Sequence, residues 1–185
     1  RSSAASDVYK RQVEMEISDE QKPLPKKPWA VSGHNNERKH NIINSLYLTP
    51  NALEDLVRAR YERYKIVEEK EQRAEEYRTE DADVIVVAYG ASSRVARSAV
   101  NKAREAGKKV GLIRPITLWP FPKDAIKRAA DHTKELLVVE MSMGQMVDDV
   151  RLAAECRVPV HFYGRTGGVI PTPKEILGEI DKLLK

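Results

Sequence analysis

The fold of this chain is decided by Val84-Ile-Val-Val-Ala-Tyr89, an unbroken apolar run in which most residues are β-branched. Such a run is typical of a strand that is buried on both faces of a sheet. Gly90-Ala-Ser-Ser93 follows and predicts a turn into a helix, which Gly107 ends. The stretch therefore begins an alternating α/β pattern.

The same alternation continues to the end of the chain. Strands are predicted at 109–114, 135–140 and 160–163, and helices at 123–130, 145–155 and 173–184. Four strands alternating with helices predict an α/β fold, namely a mostly parallel open sheet with helices on both faces.

The residues before this pattern lack a core of their own. We expect a non-native or disordered tail at 1–12, and at 13–49 the remnant of a preceding domain, with an extended linker that includes a short strand at Val13–Ile17. Thr49-Pro50 predicts the start of a long amphipathic connector helix over 50–79, whose narrow apolar stripe suits a partner surface. The α/β domain is then predicted to span 80–185.

Composition excludes several classes of protein. One cysteine in 185 residues cannot form an intrachain disulfide, a Cys-based zinc site or an iron–sulfur cluster. No apolar run approaches the roughly 20 residues of a membrane helix, so we expect a cytoplasmic protein without a membrane partner. The net charge of +4 is diffuse and aromatic residues make up 6%, which argues against nucleic acid as a partner.

Functional loops of an open sheet cluster at the carboxyl ends of its strands. Gly90–Ser93 could hold a phosphate at a helix N-terminus, although simple helix capping is the favoured interpretation. The Gly164-Arg-Thr-Gly-Gly168 loop, with Arg165, Gly167 and Gly168, is compatible with an anion, but also with a structural turn or an interface.

The other strand ends suggest contact surfaces. Arg114 precedes a stiff loop in which Trp119 and Phe121 lie among prolines, so this loop suits an interface, unless Trp119 covers its own core. Glu140 could be a base, a cap acceptor or an interface anchor, and Gln145 follows it across a glycine turn.

No catalytic or metal-binding set emerges from the remaining polar residues. The histidines (His34, His40, His132 and His161) lack metal-ligand spacing and are predicted to be surface or packing residues. Cys156 is predicted to be a small buried thiol. The sequence therefore predicts no catalytic, cofactor-binding or metal-binding residue, only interface or anion contacts.

Four segments together give the chain a family resemblance. Val84–Gly90, Lys109–Pro122 with its Leu-Trp-Pro-Phe-Pro end, Val138–Val147 and Val160–Gly168 resemble the C-terminal, transketolase-C-terminal-like part of the alpha subunit of 2-oxoacid:ferredoxin oxidoreductases. The Leu-Trp-Pro-Phe-Pro and Gly-Arg-Thr-Gly-Gly segments favour the 2-oxoisovalerate (branched-chain) member over the 2-oxoglutarate member.

The resemblance implies a function for the whole complex. Such enzymes decarboxylate a 2-oxoacid oxidatively on thiamine diphosphate with magnesium, transfer the acyl group to coenzyme A, and pass electrons through iron–sulfur clusters to ferredoxin. Almost the whole thiamine-contacting domain is absent here, so the resemblance implies a scaffold within a hetero-oligomer that holds no cofactor alone. The alternative is a stand-alone phosphate- or nucleotide-binding α/β domain.

Overall fold

The computed structural model describes residues 23, 25–31, 33–42 and 44–184. The predicted tail at 1–12 and the predicted strand Val13–Ile17 lie outside the described residues. The chain divides into two compact units, 1–59 and 60–185. In the described part of the first unit, the Arg38 guanidinium donates to the carbonyl oxygens of Ala30 and Gly33, at 3.2 and 3.1 Å.

The second unit contains one five-stranded sheet. Its strands are β1 (Ala74–Tyr77), β2 (Val84–Ala88), β3 (Val110–Pro115), β4 (Glu135–Glu140) and β5 (Val160–Gly164). They lie in the order β1-β3-β2-β4-β5, and all pairs are parallel except β1 with β3. The predicted mostly parallel α/β sheet is confirmed.

Helices cover both faces of this sheet. Helix α1 (Pro50–Lys70) precedes the sheet in the chain, and the helices that cover the sheet are α2 (Gly90–Glu105), α3 (Lys123–Ala130), α4 (Met146–Ala154) and α5 (Pro173–Leu183). Apolar residues of α2 and α5 pack with Val86 and Leu112 on one face of the sheet. Apolar residues of α3 and α4 pack with Val87 and Ile113 on the other face. Alternate residues of each strand therefore enter opposite layers of the core, as the pleat of a strand requires.

The predicted connector helix over 50–79 is too long. Helix α1 ends at Lys70, and Ala74–Tyr77 forms the antiparallel edge strand β1, with Glu75 opposite Arg114. Ala and Glu favour helices, but the free edge of β3 offers hydrogen bonds and Arg114 offers a charge partner. Consequently the sheet begins at Ala74, before the predicted domain boundary at residue 80.

The apolar stripe of α1 is not covered by the described residues. None of its residues is buried, and Leu53, Val57, Tyr61, Tyr64 and Ile66 are all exposed. The predicted role of this helix at a partner surface stays a prediction.

Candidate functional site

The carboxyl ends of β2 and β4 meet at the topological switch point of the sheet. The chain leaves β2 through α2 toward β3, and leaves the neighbouring β4 through α4 toward β5 on the opposite side. Ligands of open α/β sheets bind in the crevice that such a divergence creates. The loops that border this crevice are Gly90–Ser93 and Glu140–Gln145.

On the β4 side of this crevice, the Glu140 carboxylate accepts hydrogen bonds from the backbone N–H groups at the start of α4. Its side chain is completely buried, and its carboxylate accepts hydrogen bonds from the backbone N–H groups of Gln145 (3.2 Å), Met146 (3.1 Å) and Val147 (2.9 Å). The hydroxyl of Ser142 donates to the same carboxylate at 3.1 Å. Free amides at a helix N-terminus attract anions, and here the protein supplies its own anion.

This arrangement decides among the three interpretations of Glu140. Its carboxylate is a cap acceptor for helix α4, since the first amides of α4 hold it. Gln145 is exposed, and its described contacts at this point are made by its backbone N–H. Asp149 lies in the first turn of α4. Burial is the largest cause that raises the pKa of its carboxyl, followed by the negative charges of Asp148 and Glu140. The ionised form of the Asp149 carboxyl is therefore disfavoured by its burial and by the two neighbouring carboxylates.

The N-terminus of α2 is built differently. Neither serine caps it: Tyr89 is the cap residue without a side-chain hydrogen bond, and the Ser93 hydroxyl donates to the Gly90 carbonyl oxygen at 2.7 Å. Ser92 and Ser93 are both buried against the sheet. The favoured prediction of simple helix capping is wrong for these hydroxyls, because the helix has no side-chain cap hydrogen bond and the Ser93 hydroxyl donates to a backbone carbonyl instead.

Arg114 lies in a charge cluster that the sequence did not reveal. Its Nε donates to Glu75 at 2.8 Å, and the guanidinium of Arg97 pairs with the other oxygen of the same carboxylate. The Arg97 guanidinium also lies over the Tyr77 ring, 4.5 Å from its centroid. The hydrogen bonds from Arg97 and then Arg114 lower the pKa of Glu75. Arg114 is thus committed to a neighbouring strand.

Trp119 does not cover its own core. Its side chain is 57% exposed, and its ring meets the Tyr64 ring edge-on with centroids 5.3 Å apart. Phe121, two residues on, packs partly buried against the core beside α3 and α4. Of the two aromatic residues predicted for an interface, Trp119 alone is a strongly exposed one.

Further apolar side chains are exposed on the loops at this end of the sheet. We call them, together with Trp119, the carboxyl-edge patch: Ile116, Leu118, Trp119, Met141, Met143, Val169 and Ile170. Met143 is 83% exposed, although it immediately precedes the glycine turn of the buried Glu140 cap. Large apolar side chains clustered at one end of a domain are typical of a contact surface.

The charged residue of the Gly164–Gly168 loop, Arg165, is paired with a residue of helix α5. Arg165 pairs with Glu175 at 3.2 Å, and its backbone N–H donates to the Glu140 carbonyl oxygen at 3.0 Å. Gly167 and Gly168 have positive φ angles of 64° and 83° and open space around them. Hydrogen bonds from Thr172, and secondarily the charge of Arg165, lower the pKa of Glu175. The arginine is therefore not a free anion ligand.

The histidines have surface or structural contacts, as predicted. His161 Nε2 lies 2.6 Å from a carboxylate oxygen of Glu135. The ring nitrogens of His132 each lie 2.8 Å from a backbone carbonyl oxygen. The His34 and His40 rings contact each other with centroids 4.3 Å apart.

The prediction of a buried thiol is wrong. Cys156 is exposed, because Glu155 and Cys156 both adopt left-handed backbone conformations and turn the chain outward after α4. This turn lies on the surface between α4 and β5.

The described residues offer little to the cofactors that the family resemblance implies. Among them, no group of three His, Cys, Asp or Glu side chains could hold a metal ion. A lone thiol is also too few for an iron–sulfur cluster. These residues therefore do not fit a magnesium–diphosphate or cluster site. No helix within the described ranges is long and apolar enough to cross a membrane.

The sheet has a transketolase-C-terminal-like α/β fold, which two solved structures share. A split-gene transketolase matches 60% of this chain with a TM-score of 0.50 at 19% identity. The 2-oxoglutarate:ferredoxin oxidoreductase from Magnetococcus marinus matches 75% of this chain and 24% of its own, with a TM-score of 0.66 at 24% identity. Both likenesses concern the fold.

Comparison of amino-acid sequences identifies the family to which this chain belongs. Residues 82–176 match the pyruvate:ferredoxin oxidoreductase core domain II family, and the chain belongs to this family. The ketoisovalerate oxidoreductase subunit VorB of Methanothermobacter thermautotrophicus is 46% identical over 156 residues, covering 84% of this chain and 44% of VorB. The 2-oxoglutarate synthase subunit KorA of Methanothermobacter marburgensis is 44% identical over 102 residues, covering 55% of this chain and 27% of KorA. The chain thus spans less than half the length of these curated relatives.

Proposed function

We propose that this chain is a scaffold domain in the alpha subunit of a thiamine-diphosphate-dependent 2-oxoacid:ferredoxin oxidoreductase, with 2-oxoisovalerate as the 2-oxoacid. The complex would oxidise its substrate to an acyl-coenzyme A and reduce ferredoxin in the cytoplasm. In this proposal the chain contributes assembly contacts, and the thiamine diphosphate, magnesium and iron–sulfur clusters are bound elsewhere in the complex.

The observation that carries the proposal is the 46% identity to a ketoisovalerate oxidoreductase subunit across 84% of this chain. The preference for a branched-chain substrate rests on that relative and on the Leu118-Trp-Pro-Phe-Pro122 and Gly164–Gly168 segments. A scaffold role also agrees with the internal chemistry of the switch point, where Glu140 occupies the amides that a ligand would need.

The assembly contacts are proposed to lie on the carboxyl-edge patch. Trp119 is the aromatic anchor of this patch, because it is exposed while its ring is held by Tyr64. A side chain that is ordered before binding loses little entropy on docking. Arg114, Gln145 and Arg165, with Gly167 and Gly168, would surround this anchor as polar and backbone contacts.

A reconstitution experiment tests the proposal. The purified chain is assayed for oxidation of 2-oxoisovalerate with thiamine diphosphate, magnesium, coenzyme A and ferredoxin, first alone and then with the other subunits of such an oxidoreductase. We expect no turnover by the chain alone and co-elution with the other subunits. Turnover by the isolated chain, or failure to bind the other subunits, would contradict the proposal.

A matched pair of variants tests the patch itself. Trp119→Ala should weaken association with the other subunits at least tenfold, as expected for an aromatic anchor. Leu152→Ala is the control, since Leu152 is a 79% exposed apolar residue on α4 outside the patch. Equal affinity of the two variants would show that the contacts lie elsewhere.

A further inference from the structure

The two edges of the sheet are protected unequally. The edge strand β1 carries Glu75 and Glu76, and both carboxylates are paired with arginines. The other edge strand, β5, reads Val160-His-Phe-Tyr-Gly164 and contains no lysine or proline. Charges and prolines on an edge discourage pairing with another chain. Strand β5 has no proline, and its one ionisable basic residue, His161, is paired with Glu135 of the neighbouring strand.

The backbone of β5 has a defined open side. The Leu136 N–H donates to the Pro159 carbonyl oxygen and the Arg165 N–H donates to the Glu140 carbonyl oxygen, each at 3.0 Å. In a parallel ladder successive residues face opposite sides, so odd-numbered residues from 159 to 165 face β4. Val160, Phe162 and Gly164 therefore direct their N–H and C=O groups away from β4. Among the described residues, these groups have no hydrogen-bond partner.

The side chains leave this open side accessible. The Phe162 ring lies over Gly164 of its own strand. A Cβ atom added to Gly164 would be only 2.5 Å from this ring, so the glycine leaves the space that the ring occupies. The same ring approaches Gly144 of the β4–α4 loop. Phe162 therefore fills the layer beside α4 and does not project beyond the edge.

We propose that β5 pairs with β5 of a second copy of this chain, antiparallel about a two-fold axis at Phe162. In this register Phe162 faces Phe162 and Val160 faces Gly164, so every outward-facing residue exchanges a pair of hydrogen bonds with its counterpart. A shift of the register by two residues leaves one outward residue of each copy unpaired, and a shift by one residue opposes outward residues to inward ones.

The strand suits a copy of itself in charge as well as in hydrogen bonding. Arg165, the charged residue next to the strand, faces Pro159 of the second copy, so like charges do not oppose each other. His161 faces Tyr163 and already pairs with Glu135 of its own copy. A five-residue strand is about 17 Å long. Pairing along this length alone buries less surface than the roughly 1,600 Å² of a standard interface. The dimer should therefore be weak and dependent on concentration. This inference does not rest on the proposed function.

Sedimentation velocity of the whole chain, from micromolar to near-millimolar concentration, tests the proposal. We expect a monomer–dimer equilibrium that Val160→Pro weakens at least tenfold. Proline removes the outward N–H of residue 160 and no N–H that donates to β4, so the hydrogen bonds of the ladder with β4 are kept. Val160→Ala is the matched control, because it also truncates the side chain but keeps the N–H, and it should dimerise like the parent chain.

Cysteine cross-linking checks the register, also if the proline variant does not fold. In a Cys156→Ser background, the double variant His161→Cys, Tyr163→Cys should form an intermolecular disulfide between positions 161 and 163. Residues that face each other in a non-hydrogen-bonded pair have Cα atoms about 4.5 Å apart, within disulfide range. The single variant His161→Cys should not cross-link, since position 161 does not face itself.

Three results would overturn the proposal. They are a monomer at all concentrations, a dimer that Val160→Pro leaves unchanged, and a disulfide with a different register. A chain that is monomeric alone, but whose Val160, Phe162 and Gly164 amides gain hydrogen-exchange protection on addition of another subunit, would assign the edge to that subunit and refute pairing with a second copy.

Discussion

Replacement of Glu140 should destabilise the domain far more than replacement of a surface glutamate. The side chain is fully buried, and its carboxylate accepts from the Gln145, Met146 and Val147 amides and from Ser142. Met146 and Val147 are themselves buried, so water cannot replace the lost acceptor. Each buried donor without a partner costs about 1–3 kcal/mol.

The magnitude follows from these two amides. Glu140→Ala leaves both without an acceptor and should cost about 2–6 kcal/mol of unfolding free energy. This is a large part of the roughly 5–15 kcal/mol that holds a typical domain together. Glu140→Gln keeps one acceptor oxygen and the side-chain volume, so it should cost about 1–3 kcal/mol.

Urea denaturation at neutral pH measures both variants. Glu179→Gln is the matched control, because Glu179 pairs with Lys182 at 2.6 Å on the surface of α5. Such a pair contributes about 0.5 kcal/mol or less. If Glu140→Gln costs no more than this control, the carboxylate is not the acceptor that stabilises the start of α4.

Four further predictions concern other residues. Glu75→Gln should lower the free energy of unfolding at pH 7, and this loss should shrink as the pH falls below 4.5. The reason is that a carboxyl whose pKa is lowered in the folded state stabilises the fold only while it is ionised, and urea unfolding at a series of pH values measures the effect. Asp149→Asn should raise the melting temperature at pH 7 but not in acid, because the raised pKa of Asp149 means that its ionised form is penalised in the fold. Thr172→Ala should cost about 1 kcal/mol in urea denaturation, because it removes the N-cap hydroxyl of the capping box of α5. Cys156 should react with a water-soluble thiol reagent in the native state as fast as in the unfolded chain, and a strongly slowed reaction would contradict its exposure.

The strands and most helices followed from local patterns. The run Val84–Ala88 is buried at every position, and helix α3 has the bounds that the sequence predicted. Continuous β-branched runs and glycine or proline stops act over a few neighbouring residues, so they can be recognised without knowledge of the fold. Four segments together also indicated the family that residues 82–176 match, namely Val84–Gly90, Lys109–Pro122, Val138–Val147 and Val160–Gly168.

The exceptions arose where residues distant in sequence compete with local preference. Ala74–Tyr77 favours a helix by composition, but it becomes a strand because β3 offers a free edge and Arg114 pairs with Glu75. Cysteine is a residue type that is usually buried, but Cys156 is exposed in a turn where Glu155 and Cys156 both have positive φ angles.

The sequence by itself thus determined the alternating α/β architecture, the family and the loops at the carboxyl edge. Tertiary structure alone decided what those loops do: Glu140 caps α4, Arg114 and Arg165 are paired within the domain, and Trp119 is exposed against Tyr64. The physical reason is that hydrogen bonds and ion pairs depend on distances of about 3 Å between groups, which are set only when the strands are placed side by side.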